Sequence, residues 1–192
     1  ATISYSHAGF IGGVLAGLTT KTNKVAMVTG EFYDTHRMME ASFYKGVAYV
    51  NPDIETTAIT TGDWADTVKA REACLAVIAQ GYDVLFPCLD AAGAGVAAAA
   101  QDSGNVKVVG AVADYARDYG AEDVTAGSVV FAWDELGYLE TKGELCDGRS
   151  HVLGMKENGI RPVINIELTS EQQAVYDAAV ADLLAGKIDI AD

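Results

Sequence analysis

Short uninterrupted apolar runs alternate along the chain with segments whose apolar positions recur every three or four residues. Val25-Ala26-Met27-Val28 predicts a buried strand, followed by a loop over 31–35. Met39, Phe43, Val47 and Val50 then mark one face of a helix. Asn51-Pro52-Asp53 reads as a turn, because proline fixes φ and asparagine tolerates bends, and 55–60 as the next strand. Gly62-Asp63-Trp64-Ala65-Asp66 opens a helix running to Gln80, with Asp63 as its N-cap, Asp66 at its positive end and Gly81 as its stop. Further along come a strand over 83–86, a helix over 91–101, strands over 106–111 and 124–131, and a helix from about 134 to 146. The stretch 147–162 is the least regular, and Thr169-Ser170-Glu171 caps a final helix ending at Gly186.

Strand–helix alternation of this kind predicts an α/β fold, a doubly wound parallel sheet with helices on both faces. Ligands of such sheets bind beyond the carboxyl ends of the strands, here near 29–34, 61–64, 88–92 and 112–115. Trp64 sits at one of those ends, where its ring can stack on a ligand or fill an interface. Phe32 and Tyr33 are candidates for the rim, whereas Phe86 still belongs to a buried strand.

Composition narrows the partners. Half of the 192 residues are hydrophobic, enough for one sizeable domain, and no apolar stretch is long enough to cross a bilayer. Ala8 to Leu18 is too short and glycine-broken, and lacks the basic flank and cleavage site of a signal peptide; a start at Ala1 suggests processing or trimming. A formal charge of −14 repels phosphate backbones, which argues against nucleic acid and anionic membrane surfaces. Cys74, Cys88 and Cys146 have no C-x-x-C spacing, so neither a disulfide framework nor a zinc knuckle is expected. Cys74 reads as a core residue. Cys88, just before a helix, is either a buried thiol or a nucleophile of lowered pKa. His7, His36 and His151 lack ligand spacing and read as surface or capping residues; no metal is implied.

The stretch FPCLDAAGAGVAAAA, from Phe86 to Ala100, matches G-x-G-x-x-A, with Asp114 at the distance of a ribose-binding acid. A dinucleotide loop needs its first glycine straight off the strand, yet residues 88–92 intervene and Asp90 would face the phosphates. The glycines are therefore expected inside the first helical turn, allowing close packing on the sheet, and no dinucleotide cofactor is expected. Asp90 remains an acceptor beside a helix N-terminus, either a cap or a ligand partner.

Longer stretches carry a family resemblance. SHAGFIGGVLAGLTTKTNKVAMVTG is similar to the E-A-G-Y-L-A-G-x-x-A-A-x-x-T-K-T-x-K-V-G-x-V-G-G pattern of basic membrane protein (BMP)/PnrA-type binding lipoproteins. VNPDIETTAITTGDWADTVKAREACLAVIAQGYDVLFPCLDAAGAGV resembles their N-P-D … G-S-W/F-x-D … I-x-x-G-A-D-V-I-F-P … G-x-G-V. TAGSVV and SHVLGMKENGI resemble the L-T-S-V-V strand and the Y-x-L-G-L-K-E-G-G-V segment. The resemblance runs through nearly the whole chain in order and spacing. It implies a periplasmic-binding-protein type I lobe, part of a two-lobed, non-catalytic, extracytoplasmic component of an ABC importer for purine nucleosides.

Two departures qualify that expectation. The chain starts where the family's second lobe starts, so 1–192 is expected as one lobe with the first largely missing. Residues 1–6 and about 124–155 would be the segments that cross or return to the absent lobe. In addition, the family's G-x-D-x-D-Q segment falls on Gly110 to Tyr115, which places Val112 at the first aspartate and Asp114 at the second. The lysine after S-V-V falls on Phe131.

Losing a carboxylate and an ammonium removes contacts a ribose would need, while Phe131 offers a stacking face for a base. The expected ligand contacts are thus Asp90, Asp114, Trp64, Phe131, Phe32 and Trp133, the last against ligand or absent lobe. The expected partners are a purine nucleoside, purine base or flat heterocycle, a permease, and a companion lobe or second copy. The alternatives are a self-associating sensory lobe, or a small enzyme using Cys88 or Asp114.

Overall fold

The computed structural model describes residues 1–190. The chain opens with β1 (Thr2–Ile3), α1 (Tyr5–Thr19), β2 (Lys24–Thr29), α2 (Asp34–Val50) and β3 (Glu55–Thr60). It continues through α3 (Thr67–Ile78), β4 (Val84–Cys88), α4 (Gly93–Ser103), β5 (Lys107–Val112) and α5 (Tyr115–Tyr119). The last elements are β6 (Thr125–Phe131), α6 (Trp133–Thr141), β7 (Val152–Leu153), β8 (Ile160–Ile164) and α7 (Ser170–Leu184).

Six strands form one sheet in the order β3-β2-β4-β5-β6-β8. The first five are parallel, as the alternation predicted, and β8 joins β6 antiparallel at the edge. Strand order reverses between β2 and β4, the place where an open α/β sheet leaves a crevice. β1 and β7 pair in parallel apart from this sheet. Of the span 124–155, residues 125–131 lie within the main sheet, between β5 and β8.

Period-two alternation divides the core between the two faces. Val25, Met27, Val84 and Phe86 face the layer of α1, α2 and α7, whereas Ala26, Val28 and Leu85 face α3, α4 and α5. Phe86 is core as expected, its ring stacked on Phe43 at 4.8 Å. The backbones of α1 and α2 nearly touch: a Cβ at Gly13 would come within 2.2 Å of the Phe43 carbonyl oxygen. Any side chain at Gly13 would force the two helices apart.

Several boundaries differ from expectation. Helix α3 begins at Thr67, not near Asp63, because Asp66 is the N-cap, accepting from the N–H groups of Val68 and Lys69. The two glycines of the fingerprint do lie in the first turn of α4. They do not pack on the sheet, however: a Cβ at Gly95 would meet the Thr67 carbonyl oxygen of α3 at 2.0 Å, and one at Gly93 the Tyr115 hydroxyl at 2.4 Å. Helix α6 ends at Thr141, and Gly143 follows with φ +75. The irregular stretch contains β7 and the first residues of β8, where Pro162 is tolerated because the strand lies at an edge.

Candidate functional site

A cavity of about 450 Å³ opens at the carboxyl ends of the central strands. The end of β4 supplies Cys88, Leu89 and Asp90, and the end of β5 supplies Val112. Trp64 enters from the loop after β3, Tyr33 and His36 from the start of α2. Tyr5 and Trp133 open α1 and α6 and complete the wall.

Backbone hydrogen bonds hold Trp64 in place. Thr61 N–H donates to the Thr29 carbonyl at 2.8 Å and Gly62 N–H to Gly30 at 2.9 Å, so the loop after β3 runs beside the end of β2. Gly62 turns the chain there with φ +71. The Asp63 carboxylate accepts from the N–H groups of Ala65 and Asp66, which lower its pKa. Ala92 N–H, at the start of α4, donates to the Trp64 carbonyl at 3.1 Å. The indole stacks on Tyr33 at 5.8 Å and meets the tilted His36 ring at 4.8 Å, while Tyr5 packs edge-on to His36 at 5.3 Å.

Burial decides the charge state of these groups. It pushes the Tyr5 phenol up to about 12, helped by Cys88 and Asp90. It pushes the Cys88 thiol up to about 12, again with help from Asp90, and so disfavours the thiolate a nucleophile would need. It lowers the His36 imidazole, against a smaller opposing pull from Asp90. The cavity therefore presents neutral rings, a phenol and a thiol around one carboxylate. At its floor, Val112 holds φ +73, a region that β-branched residues rarely occupy and that tends to persist at functional sites.

Of the residues the sequence singled out, Asp90, Trp64, Trp133 and the rim residue Tyr33 meet in this cavity. Asp90 is not the cap of α4: that position is Ala92, which makes no side-chain cap bond. Phe131 is only 3 % exposed, its ring enclosed by Tyr5 at 5.0 Å and Trp133 at 5.8 Å, and it sits behind the wall. Asp114 caps α5 by accepting from Arg117 N–H, and Phe32 lies under the Arg37 guanidinium at 5.2 Å; neither lines the cavity.

His36 was expected at the surface or as a cap and is instead buried. His151 pairs with Asp147 at 2.7 Å, and His7 Nδ1 accepts from Met155 N–H. Sequence reasoning missed Tyr5 and His36 as lining residues, and it placed Val112 at a ligand-facing strand end without counting it as a contact. The start of a helix following a strand end was a usable signal for His36.

Across residues 2–190 the chain matches the family described as ABC transporter substrate-binding protein PnrA-like. It is 37 % identical over 178 residues to a CD4+ T-cell-stimulating antigen of Listeria monocytogenes, covering 93 % of this chain and 42 % of that protein. It is 26 % identical to the ABC transporter nucleoside-binding protein BmpA of Lactococcus lactis, covering 99 % of this chain and 59 % of that protein. The chain thus spans about half the length of the curated relatives it matches.

Among solved structures, a solute-binding protein from Aeropyrum pernix superposes with a TM-score of 0.81 at 14 % identity, over 98 % of this chain and 64 % of that one. A transcriptional activator of the comK gene from Bacillus halodurans superposes at 0.79 with 23 % identity, over 98 % and 65 %. At these identities the likeness speaks for the fold alone.

Proposed function

The chain belongs to the PnrA-like family of ABC transporter substrate-binding proteins, and on that premise we propose that it is the ligand-recognising lobe of an importer's binding protein. Its ligand is a purine nucleoside, a purine base or a similar flat heterocycle, bound without catalysis. The observation that carries this reading is the ring-lined cavity at the strand carboxyl ends, whose wall includes Trp64, Trp133 and Asp90. Aromatic faces suit a planar base, and a carboxylate accepts from its N–H groups. The nucleoside-binding description of the Lactococcus relative supports the same class.

In this reading, the part of the relatives that the chain does not span supplies the opposite wall of the cleft. β1, β7 and α6 are the segments that meet it, and a companion lobe or a second copy could fill the same place. Closure of the two walls on ligand selects the loaded state for the permease, in an extracytoplasmic setting.

The test is calorimetric titration of the full-length protein with inosine, adenosine, guanosine and their free bases, with tryptophan fluorescence as a second readout. Saturable binding that is lost in Trp64→Ala, with the fold retained, supports the reading. Absence of binding by all of them, or binding of simple sugars instead, overturns it.

A further inference from the structure

We propose that this cavity selects a heterocycle carrying a delocalised positive charge, with Asp90 as its counter-charge and the surrounding rings as its cage. The proposal rests on the cavity being the ligand site. Among the described residues no lysine or arginine lines it, and Asp90 is the only acidic one in its wall. Among the described residues Asp90 makes no ion pair, although the chain's other carboxylates pair repeatedly with arginine and lysine. Its carbonyl accepts from the Tyr119 hydroxyl, which fixes the backbone beneath the side chain.

The field of this carboxylate is felt throughout the cavity, since it pulls the Tyr5, Cys88 and His36 equilibria towards the protonated forms. A cation would be stabilised by the same field and an anion repelled. Around Asp90 stand Tyr5, Tyr33, Trp64 and Trp133, whose negative ring faces attract cations, tryptophan most strongly. A chain of formal charge −14 adds a long-range pull of the same sign. A neutral purine would meet this field only with its N–H dipoles, whereas a cation meets it with a full charge.

Matched ligand pairs test the point on the full-length protein. Adenosine and cationic 1-methyladenosine form one pair; nicotinamide and 1-methylnicotinamide, a pyridinium cation, form a second without a sugar. Calorimetry at neutral pH is expected to show the cation of at least one pair binding about tenfold tighter than its neutral partner. In Asp90→Asn, checked for fold by thermal melting, that ratio is expected to fall several-fold, to the smaller preference that the rings alone supply. The added methyl is present in both proteins, so a change in the ratio reports charge rather than shape.

Neutral members binding as well as or better than the cations overturn the charge proposal while leaving the cavity as the ligand site. A ratio unchanged in Asp90→Asn overturns Asp90 as the counter-charge. No binding by any of the four, with none by the purine nucleosides either, overturns the site and the proposal together.

Discussion

The indole of Trp64 lies flat against the backbone of Gly30: a Cβ placed there would fall 2.4 Å from Cδ2 and 2.6 Å from Cε2 of the ring. Glycine at position 30 is what lets the wall of the cavity close. Gly30→Ala is expected to push the indole outward at a cost of about 1–3 kcal/mol in stability. Ligand affinity should fall about tenfold, and tryptophan emission should shift with it. Unchanged emission and affinity would mean that Trp64 is not held by this contact.

His36 makes the folded state sensitive to acid. Burial holds its imidazole below the ordinary 6.5, so the unfolded chain binds a proton that the folded chain resists. Stability is therefore complete above that value and declines as pH falls through and below it. Denaturant titrations at about pH 8 and about pH 5 should show a smaller drop for His36→Phe than for the parent. Equal drops would show that this ring contributes nothing to acid sensitivity.

The three thiols should separate by reactivity. Cys146 is exposed, whereas Cys74 and Cys88 are buried and each raised to about 12. Iodoacetamide at about pH 8 is expected to modify Cys146 first and the other two at least about a hundredfold more slowly until denaturant is added. Mass spectrometry of the alkylated peptides reads this directly. Rapid modification of Cys88 would reopen the nucleophile reading.

Val112 is the position where the resembled family carries the first of its two aspartates, and its φ of +73 suits aspartate better than valine. Val112→Asp should therefore fold with a melting temperature within about a few degrees of the parent. It should also add a ribose contact worth about 1.5–3 kcal/mol, seen as tighter nucleoside binding with little change for the free base. Equal gains for both would place the new carboxylate on the base rather than the sugar.

The centre of the sheet was legible because β2, β4, β5 and β6 are short apolar runs set between helical periodicities. Met39, Phe43 and Val47 are all buried on the face that the spacing marked. Local chemistry misled at two places. Asp63 caps the turn before α3 and Asp66 caps the helix itself, and sequence alone cannot rank two nearby aspartates. β8 carries Arg161 and Pro162, which read as loop until an antiparallel partner, β6, is known.

The site was legible only as a location. Trp64 and Asp90 were singled out at named strand ends and Trp133 by its place after Phe131, and all three line the cavity. The contact between His36 and Trp64 joins residues far apart in sequence, and no local pattern encodes it. That Tyr5, more than a hundred residues away in sequence, packs over the Phe131 ring was equally invisible to local pattern.

The order of the sheet also decides which strands are left at its margins. Its two outermost strands, β3 and β8, are the ones with free backbone edges. β3 is a threonine-rich, polar run beginning at Glu55, and β8 interrupts its donors with Pro162 beside the charged Arg161. Neither offers a continuous apolar template for another strand. Edge-to-edge stacking into fibrils is thus blunted at both margins. At the carboxyl end of the sheet, by contrast, the rings of Tyr33 and Trp133 stand open to solvent.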